Sequence, residues 1–304
     1  MKNELTQTLN WDIQVEPIVI SDQVSKTRNA LVRSDNRELM GIVSKEYCPL
    51  SNQRLMNLVN SITATGQFKL SGYDEFNGGK TVVAFLQNIN PLLKLNSFPI
   101  QEYLIIGNSH DGTRPFYVGT GCTLIRCMNQ FYSTLKVYQQ KHTSEIEFEL
   151  EDVNAIITNY KKSKNSLYDS FEGMDSIKVT EDTVERLIRE IHMMLVKDNP
   201  RSLQEVFGQS PSMKSLRKSI YREMRELGNN AFGLFNGVTW YTTHEMRNAG
   251  KDFGKNSGTA NMINQKAFRF CSNLKRNAGH LFSTRELMHE GNPNYARNLF
   301  NTPY

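Results

Sequence analysis

The stretch from Tyr103 to Lys136 constrains the fold most. An apolar run, Tyr103-Leu-Ile-Ile106, leads into Gly107-Asn-Ser-His-Asp-Gly112, and a second apolar piece, Phe116-Tyr-Val118, follows. Gly119 and Gly121 then open onto Thr123-Leu-Ile-Arg-Cys-Met-Asn129. Short apolar runs bounded by turn formers read as strand, tight turn, strand and a third buried segment, the centre of one sheet. Strands are expected before this stretch and mostly helices after it.

Ahead of it, Val15 to Ile20 and Ala30 to Arg33 read as short strands separated by the polar stretch Ser21 to Asn29. Leu39 to Tyr47 is a third strand, with Asp35-Asn36 as the turn before it. Ser51 can cap a helix in which Leu55, Leu58, Val59 and Ile62 form one apolar stripe, and Gly66 stops it. Phe68 to Phe76 and Thr81 to Leu86 flank Asn77-Gly78-Gly79, a strong hairpin signal. Asn88 to Phe98, with Pro91 inside, reads as a loop. About seven strands joined mostly by short turns argue against regular βαβ units.

From about Ser144 the period changes. Phe148, Ile156, Ile157 and Tyr160 predict a helix ending near Lys161-Lys-Ser-Lys164, and polar Lys161 to Lys178 reads as loop or frayed helix. Thr180, with Glu181 and Asp182, opens a helix whose buried face is Val184, Leu187, Ile188, Ile191, Met194 and Leu195, closed by Asn199-Pro200. In Ser212 to Leu227, Met213, Leu216, Ile220, Met224 and Leu227 fill an arc of roughly 80° at helical period. Lys214, Arg217, Lys218, Arg222 and Arg225 fill a separate arc of roughly 140°, a positive stripe opposite a docking face. Ala231 to Arg247 is expected to be helical, Gly250 to Gly258 a loop, and Asn261 to Leu274 a last helix. The tail from Asn292 to Tyr304 docks on a neighbour or frays. The predicted class is α+β: an N-terminal antiparallel or mixed β-sheet with few helices, then a mainly helical C-terminal part. Residues 1–143 make the β-rich domain, and 144–304 a mainly helical basic region packed on it.

Composition excludes several classes. Among 304 residues, 38% hydrophobic, no apolar run approaches the eighteen or so that a membrane span needs. The N-terminus lacks the apolar core of a signal peptide. Cys48, Cys122, Cys127 and Cys271 have no CxxC spacing, as expected of free thiols in a reducing cytosol. The histidines form no HxH or HxxxH, and no Cys/His cluster exists, so neither a metal nor another cofactor is expected. There is no GxxxxGK[ST], GxGxxG or GxSxG. The net charge of +5 is unevenly spread: from Arg201 onward fifteen Lys/Arg face seven Asp/Glu, a net of +8, leaving −3 on the first two hundred residues. Such asymmetry suits a C-terminal part that meets a polyanion.

The candidate catalytic pair is His110-Asp111, in the turn between two strands. Asn108, Ser109, Asp111 and Gly112 are turn formers, so the pair reads better as structural. The stronger constellation mixes cations and aromatics. Arg126, Lys136, Tyr138, Lys141 and His142 flank the end of the sheet with Phe131 and Tyr132 between them. Lys214, Arg217, Lys218, Arg222 and Arg225 add the helical stripe. Cations for phosphates and aromatic faces for bases are the means of holding single-stranded nucleic acid.

Several motifs in order carry a family resemblance: Arg33-Ser-Asp35, Gly41-Ile-Val-Ser-Lys-Glu-Tyr47, Pro49-Leu50, Asn52, Asn108-Ser-His-Asp-Gly112, Ile125-Arg-Cys-Met-Asn129, and Asn236-Gly-Val-Thr-Trp-Tyr241 ending at His244. From about residue 30 to 248 the chain resembles a phage/plasmid-like family described as a domain of unknown function. Gly237 stands where that family commonly has alanine, and the extension after Asn248 is not matched. The resemblance implies a mobile-element setting in a bacterial cytoplasm, where genes of this size often serve DNA replication or recombination.

The expected function is therefore a non-enzymatic nucleic-acid-binding protein that favours single-stranded DNA, a strand-annealing recombination protein acting as a homo-oligomer, with no membrane partner. The alternatives are an enzyme acting on nucleic acid with His110 and Asp111 in its site, or a phage structural or host-interaction protein.

Overall fold

A computed structural model describes residues 8–89, 93–95, 98–124, 129–143, 146–195, 210–246 and 258–277. Two antiparallel sheets come first. Strands β1 (Ile13–Ile20), β2 (Gln23–Arg33) and β3 (Leu39–Ser44) form the smaller, in that order. The larger holds β4 (Phe68–Phe76), β5 (Thr81–Asn88), β7 (Phe98–Ser109), β8 (Phe116–Leu124) and β9 (Asn129–Gln140) in that order, with β6 (Leu93–Leu95) also paired to β7. Helix α1 (Asn52–Ala64) lies between the sheets in sequence. Then follow α2 (Leu150–Asp175), α3 (Glu181–Leu195), α4 (Pro211–Leu227), α5 (Ala231–Trp240) with a π turn (Tyr241–Glu245), and α6 (Thr259–Asn277). The class is α+β, and the sheets are antiparallel rather than mixed.

Local chemistry explains most boundaries. The Ser51 hydroxyl accepts a 3.1 Å bond from the Arg54 amide and starts α1, which buries the Leu55, Leu58, Val59 and Ile62 stripe. Asn77, Gly78 and Gly79 all have positive φ, as the tight β4–β5 hairpin requires. The polar Ser21 to Asn29 stretch is not a connector: Ser21 and Asp22 alone make the turn, with φ of 48° and 62°, and β2 starts at Gln23. Short polar side chains tolerate that conformation without glycine. Asn88 to Phe98 likewise contains strand β6.

Two other readings change. Gly119 and Gly121 do not open a new segment; both lie inside β8, where the ladder to β9 shifts register. A Cβ on Gly121 would sit 2.5 Å from Ile105 Cδ1, so the absent side chain makes room for a neighbouring strand's residue. The polar stretch after Lys161 is helix through Asp175, because Ser163, Leu167, Phe171 and Met174 carry the buried stripe of α2 onward at steps of four, four and three. At the end of α3, Leu195 is exposed rather than on the buried face. The expected Asn199-Pro200 stop, most of the Gly250–Gly258 loop and the tail fall outside the described residues.

The same face of the large sheet carries two cores. Leu86, Leu104, Ile106 and Val118 pack with α1 and with Val153, Ile156 and Tyr160 of α2. Ile100, Cys122, Leu124 and Phe131 pack with Leu167, Phe171 and Met174 of α2, and with α3 to α6. Between them sits buried Glu102, 3.0 Å from Asn88 Nδ2 and 3.1 Å from Lys164 Nζ. Burial pushes its carboxyl up, against the pull of the Lys164 ammonium. Helix α5 is buried on every side from Ala231 to Thr239. Its glycines allow this: a Cβ on Gly237 would fall 2.3 Å from Ile220 Cα, so the backbones of α4 and α5 nearly touch.

Candidate nucleic-acid interface

Motif residues far apart in the chain meet where the two sheets join. Arg33 stacks 3.9 Å over Trp11 and binds Asp35 at 2.8 Å and Glu75 at 2.6 Å, while Trp11 Nε1 donates to Glu75 at 2.6 Å. Asn52 Nδ2 donates to the Trp11 carbonyl, so its Oδ1 is left to accept from His110 Nε2 at 2.8 Å. His110 is fully buried, edge-on to Trp11, and burial lowers its pKa to about 3. The ring is therefore neutral, with its proton on Nε2.

Asp111 serves the turn. Burial pushes its carboxyl up, but hydrogen bonds from the Ser109 and Thr113 hydroxyls and the Thr113 amide outweigh that and hold it below the usual range. Asn108 Nδ2 donates to Leu50 O at 2.9 Å. The motif glycines bring the sheets together: a Cβ on Gly41 would lie 2.5 Å from Asp111 O, and one on Gly112 would lie 2.7 Å from Val43 Cγ1. His110 and Asp111 thus sit in a packed joint, and the histidine has no exposed atom to offer a substrate.

On α4 the five stripe residues divide. Arg217 is held by both Glu185 oxygens at 2.7 Å, and that bond keeps the Glu185 carboxyl below its usual range. Arg222 lies 3.3 Å over the Trp240 ring and 3.4 Å from Glu223. His244 covers Trp240 as well, at 4.1 Å between ring centres. Lys214, Lys218 and Arg225 are exposed, and no carboxylate among the described residues pairs with them. At roughly 100° per residue these three fall within about 40° of one another, with half-exposed Tyr221 about 20° to one side. The result is a ridge roughly 16 Å long, from Lys214 to Arg225, that sets an aromatic ring among three cations.

The sheet-end candidates lie elsewhere. Tyr138 is half-buried, its hydroxyl 3.0 Å from Gln140 Oε1 and 3.3 Å from Asp152 Oδ1, and its ring packs against Phe116 and Phe148. Lys141 is exposed just past β9, and His142 is buried against Tyr47. Lys136 lies in β9 opposite Gly119, and Arg126 is outside the described residues. Phe131 is core, stacked on Phe268 at 5.0 Å and edge-on to Phe235, so it offers no face to a base. Tyr138 packs in the first core and α4 in the second. Sequence reasoning missed Tyr221, whose position seven residues after Lys214 was the available signal. It also missed Glu185 as a partner, which only the docking of α3 on α4 reveals. Among the described residues no group of three metal-ligating side chains occurs, and no helix is long and apolar enough to cross a membrane.

Fold and site together define an α+β protein with two joined antiparallel sheets, a helical layer on one face and a cationic ridge. A family model described as a domain of unknown function, DUF932, matches residues 39–281, and the chain belongs to that family. The match runs beyond Asn248 into the segment that the motifs left unplaced. No curated protein and no solved structure matches the chain.

Proposed function

We propose that the chain is a nucleic-acid-binding protein that favours single strands and acts without turnover, in strand annealing or recombination for a phage or plasmid within a bacterial cytoplasm. The observation that carries this reading is the α4 ridge. Three cations without a carboxylate partner among the described residues flank Tyr221, which supplies charge for phosphates and a ring for a base. The +8 balance beyond Arg201 adds a favourable field. The mobile-element setting rests on the motif resemblance alone. The enzyme alternative loses its support in the burial of His110.

The test is a salt titration of fluorescent single-stranded and duplex oligonucleotides, comparing the parent with a Lys214→Glu, Lys218→Glu, Arg225→Glu variant. None of the three lies on the buried face, so folding is expected to be unchanged. Affinity for the single strand should fall at least tenfold at low salt. The slope of log affinity against log salt should drop by roughly 0.7 for each phosphate that the variant no longer neutralises. Equal binding by parent and variant at every salt concentration would reduce the ridge to a solvated face. A parent that binds no nucleic acid removes the function itself.

A further inference from the structure

Helix α5 is buried on every side through Thr239 and reaches the surface at Trp240, which is half-buried. A π turn follows at once, closed by the Met246 amide donating to Tyr241 O at 2.8 Å; such wide turns are frequent at functional sites. It carries exposed His244, whose ring centre lies 4.1 Å from that of Trp240. Arg222 of α4 crosses the indole with its guanidinium carbon 3.3 Å from the ring centre. That is already inside the optimal carbon–carbon separation of about 3.5–4.0 Å, so only a near-parallel guanidinium avoids driving a nitrogen into the ring. At helical period Arg222 falls about 40° beyond Lys218, on the side of the cationic ridge away from Tyr221. The ridge is thus bordered by a phenol ring on one side and by a guanidinium stacked on an indole on the other.

The donors of Arg222 show what the stack is left to do. A guanidinium has about five N–H donors in one plane. Among the described residues Arg222 makes one hydrogen bond, at 3.4 Å to Glu223. Glu245, the acidic residue of the π turn, accepts from the Ser215 hydroxyl. Arg33, in the same pose over Trp11, is the contrast: Asp35, Glu75 and the Gly78 carbonyl take its donors, and its side chain is 13% exposed. The Arg222 side chain is 37% exposed. Unstacked bases of single strands lie on arginine planes as well as on aromatic rings. We propose that Arg222, fixed in orientation by Trp240, is a base-stacking platform: one base of a single strand lies on its outer face while the adjoining phosphates follow the ridge. This rests on reading the ridge as a single-strand contact, and adds a second base station across the ridge from Tyr221.

The experiment compares two labelled strands of equal length, oligothymidylate and an abasic deoxyribose-phosphate chain, on the full-length parent and on Arg222→Lys. Lysine keeps the charge and removes the plane. Arg222→Lys should weaken oligothymidylate binding by roughly fivefold or more, as loss of one stacked base predicts, and leave abasic binding within about twofold. The variant lacking the three ridge cations should instead lose both strands together. An equal loss of both strands in Arg222→Lys makes Arg222 one more point charge and overturns the platform while the ridge stands. Unchanged binding of both strands overturns it too. A parent that binds neither strand removes ridge and platform alike. If Arg222→Lys does not keep the parent's circular-dichroism melt, the parent's own tryptophan emission decides. The chain has two tryptophans and Trp11 is buried, so a change with oligothymidylate that the abasic chain does not produce reports Trp240. The absence of any such difference overturns the proposal.

Discussion

Each of the chain's two tryptophans lies under an arginine, and the two settings differ. At the joint between the sheets, Trp11 is buried, its Nε1 bound to Glu75, and Arg33 above it is gripped by two carboxylates. Beside α4, Trp240 is only half-buried, with Arg222 over its ring and His244 against it, and Arg222 has a carboxylate of Glu223 at 3.4 Å. The first stack closes a joint in which the arginine is held by two carboxylates. The second sits next to a ridge whose cations have no carboxylate partner among the described residues. Residue types alone would not have separated them, because each is an arginine over a tryptophan; burial and pairing do.

The largest expected break in this comparison comes from acid. His110 is neutral in the fold with a pKa of about 3, below the ordinary 6.5, so the unfolded chain takes up the proton first. Its contribution is fully present above about pH 6.5. It is lost as pH falls toward 3, at up to about 1.4 kcal/mol per pH unit. His142, lowered by burial against the pull of the Cys48 carbonyl, adds in the same direction. Urea unfolding of the parent between pH 7 and 4 should show this slope, and His110→Gln should flatten it while costing stability at neutral pH. A parent whose stability is level over that range would mean the joint is not closed as described.

An intermediate effect is expected on the helical side. Alanine favours helix over glycine by about 1 kcal/mol, so propensity alone predicts that Gly237→Ala stabilises. The 2.3 Å approach to Ile220 Cα predicts the reverse, a loss of about 1–3 kcal/mol in urea unfolding as α4 and α5 are forced apart. Stabilisation would show that the two helices separate at little cost.

The smallest effect separates Arg217, which is paired, from the ridge cations that have no carboxylate partner among the described residues. Arg217→Gln should cost under about 1 kcal/mol, because its bond to Glu185 is half-exposed. It should also change oligonucleotide affinity less than Lys214→Glu does in the same salt titration. A larger binding defect at Arg217 would move the interface toward α3.

Much of this was readable in the residues, for reasons that also explain the misses. Asn77-Gly-Gly fixed a hairpin because positive φ at three positions leaves few alternatives, whereas Ser21-Asp22 adopts positive φ at two positions without a glycine to announce it. The first half of α2 shows adjacent apolar pairs; its second half offers one apolar residue per turn and looks polar until the second core is known. The division of α4 into apolar and basic faces was legible from period alone. Which of its cations are paired was not, because Glu185 and Trp240 come from other helices.

The long α2 helix has a consequence for how the molecule comes apart. One rigid 26-residue rod seals both cores, with Tyr160 in one and Leu167 in the other, only two turns apart. Heat or denaturant that frees either end of the rod strips a wall from the opposite half, so melting should run as one cooperative event. A protease cut near residue 160 should disable the β-rich and helical halves together rather than release either intact.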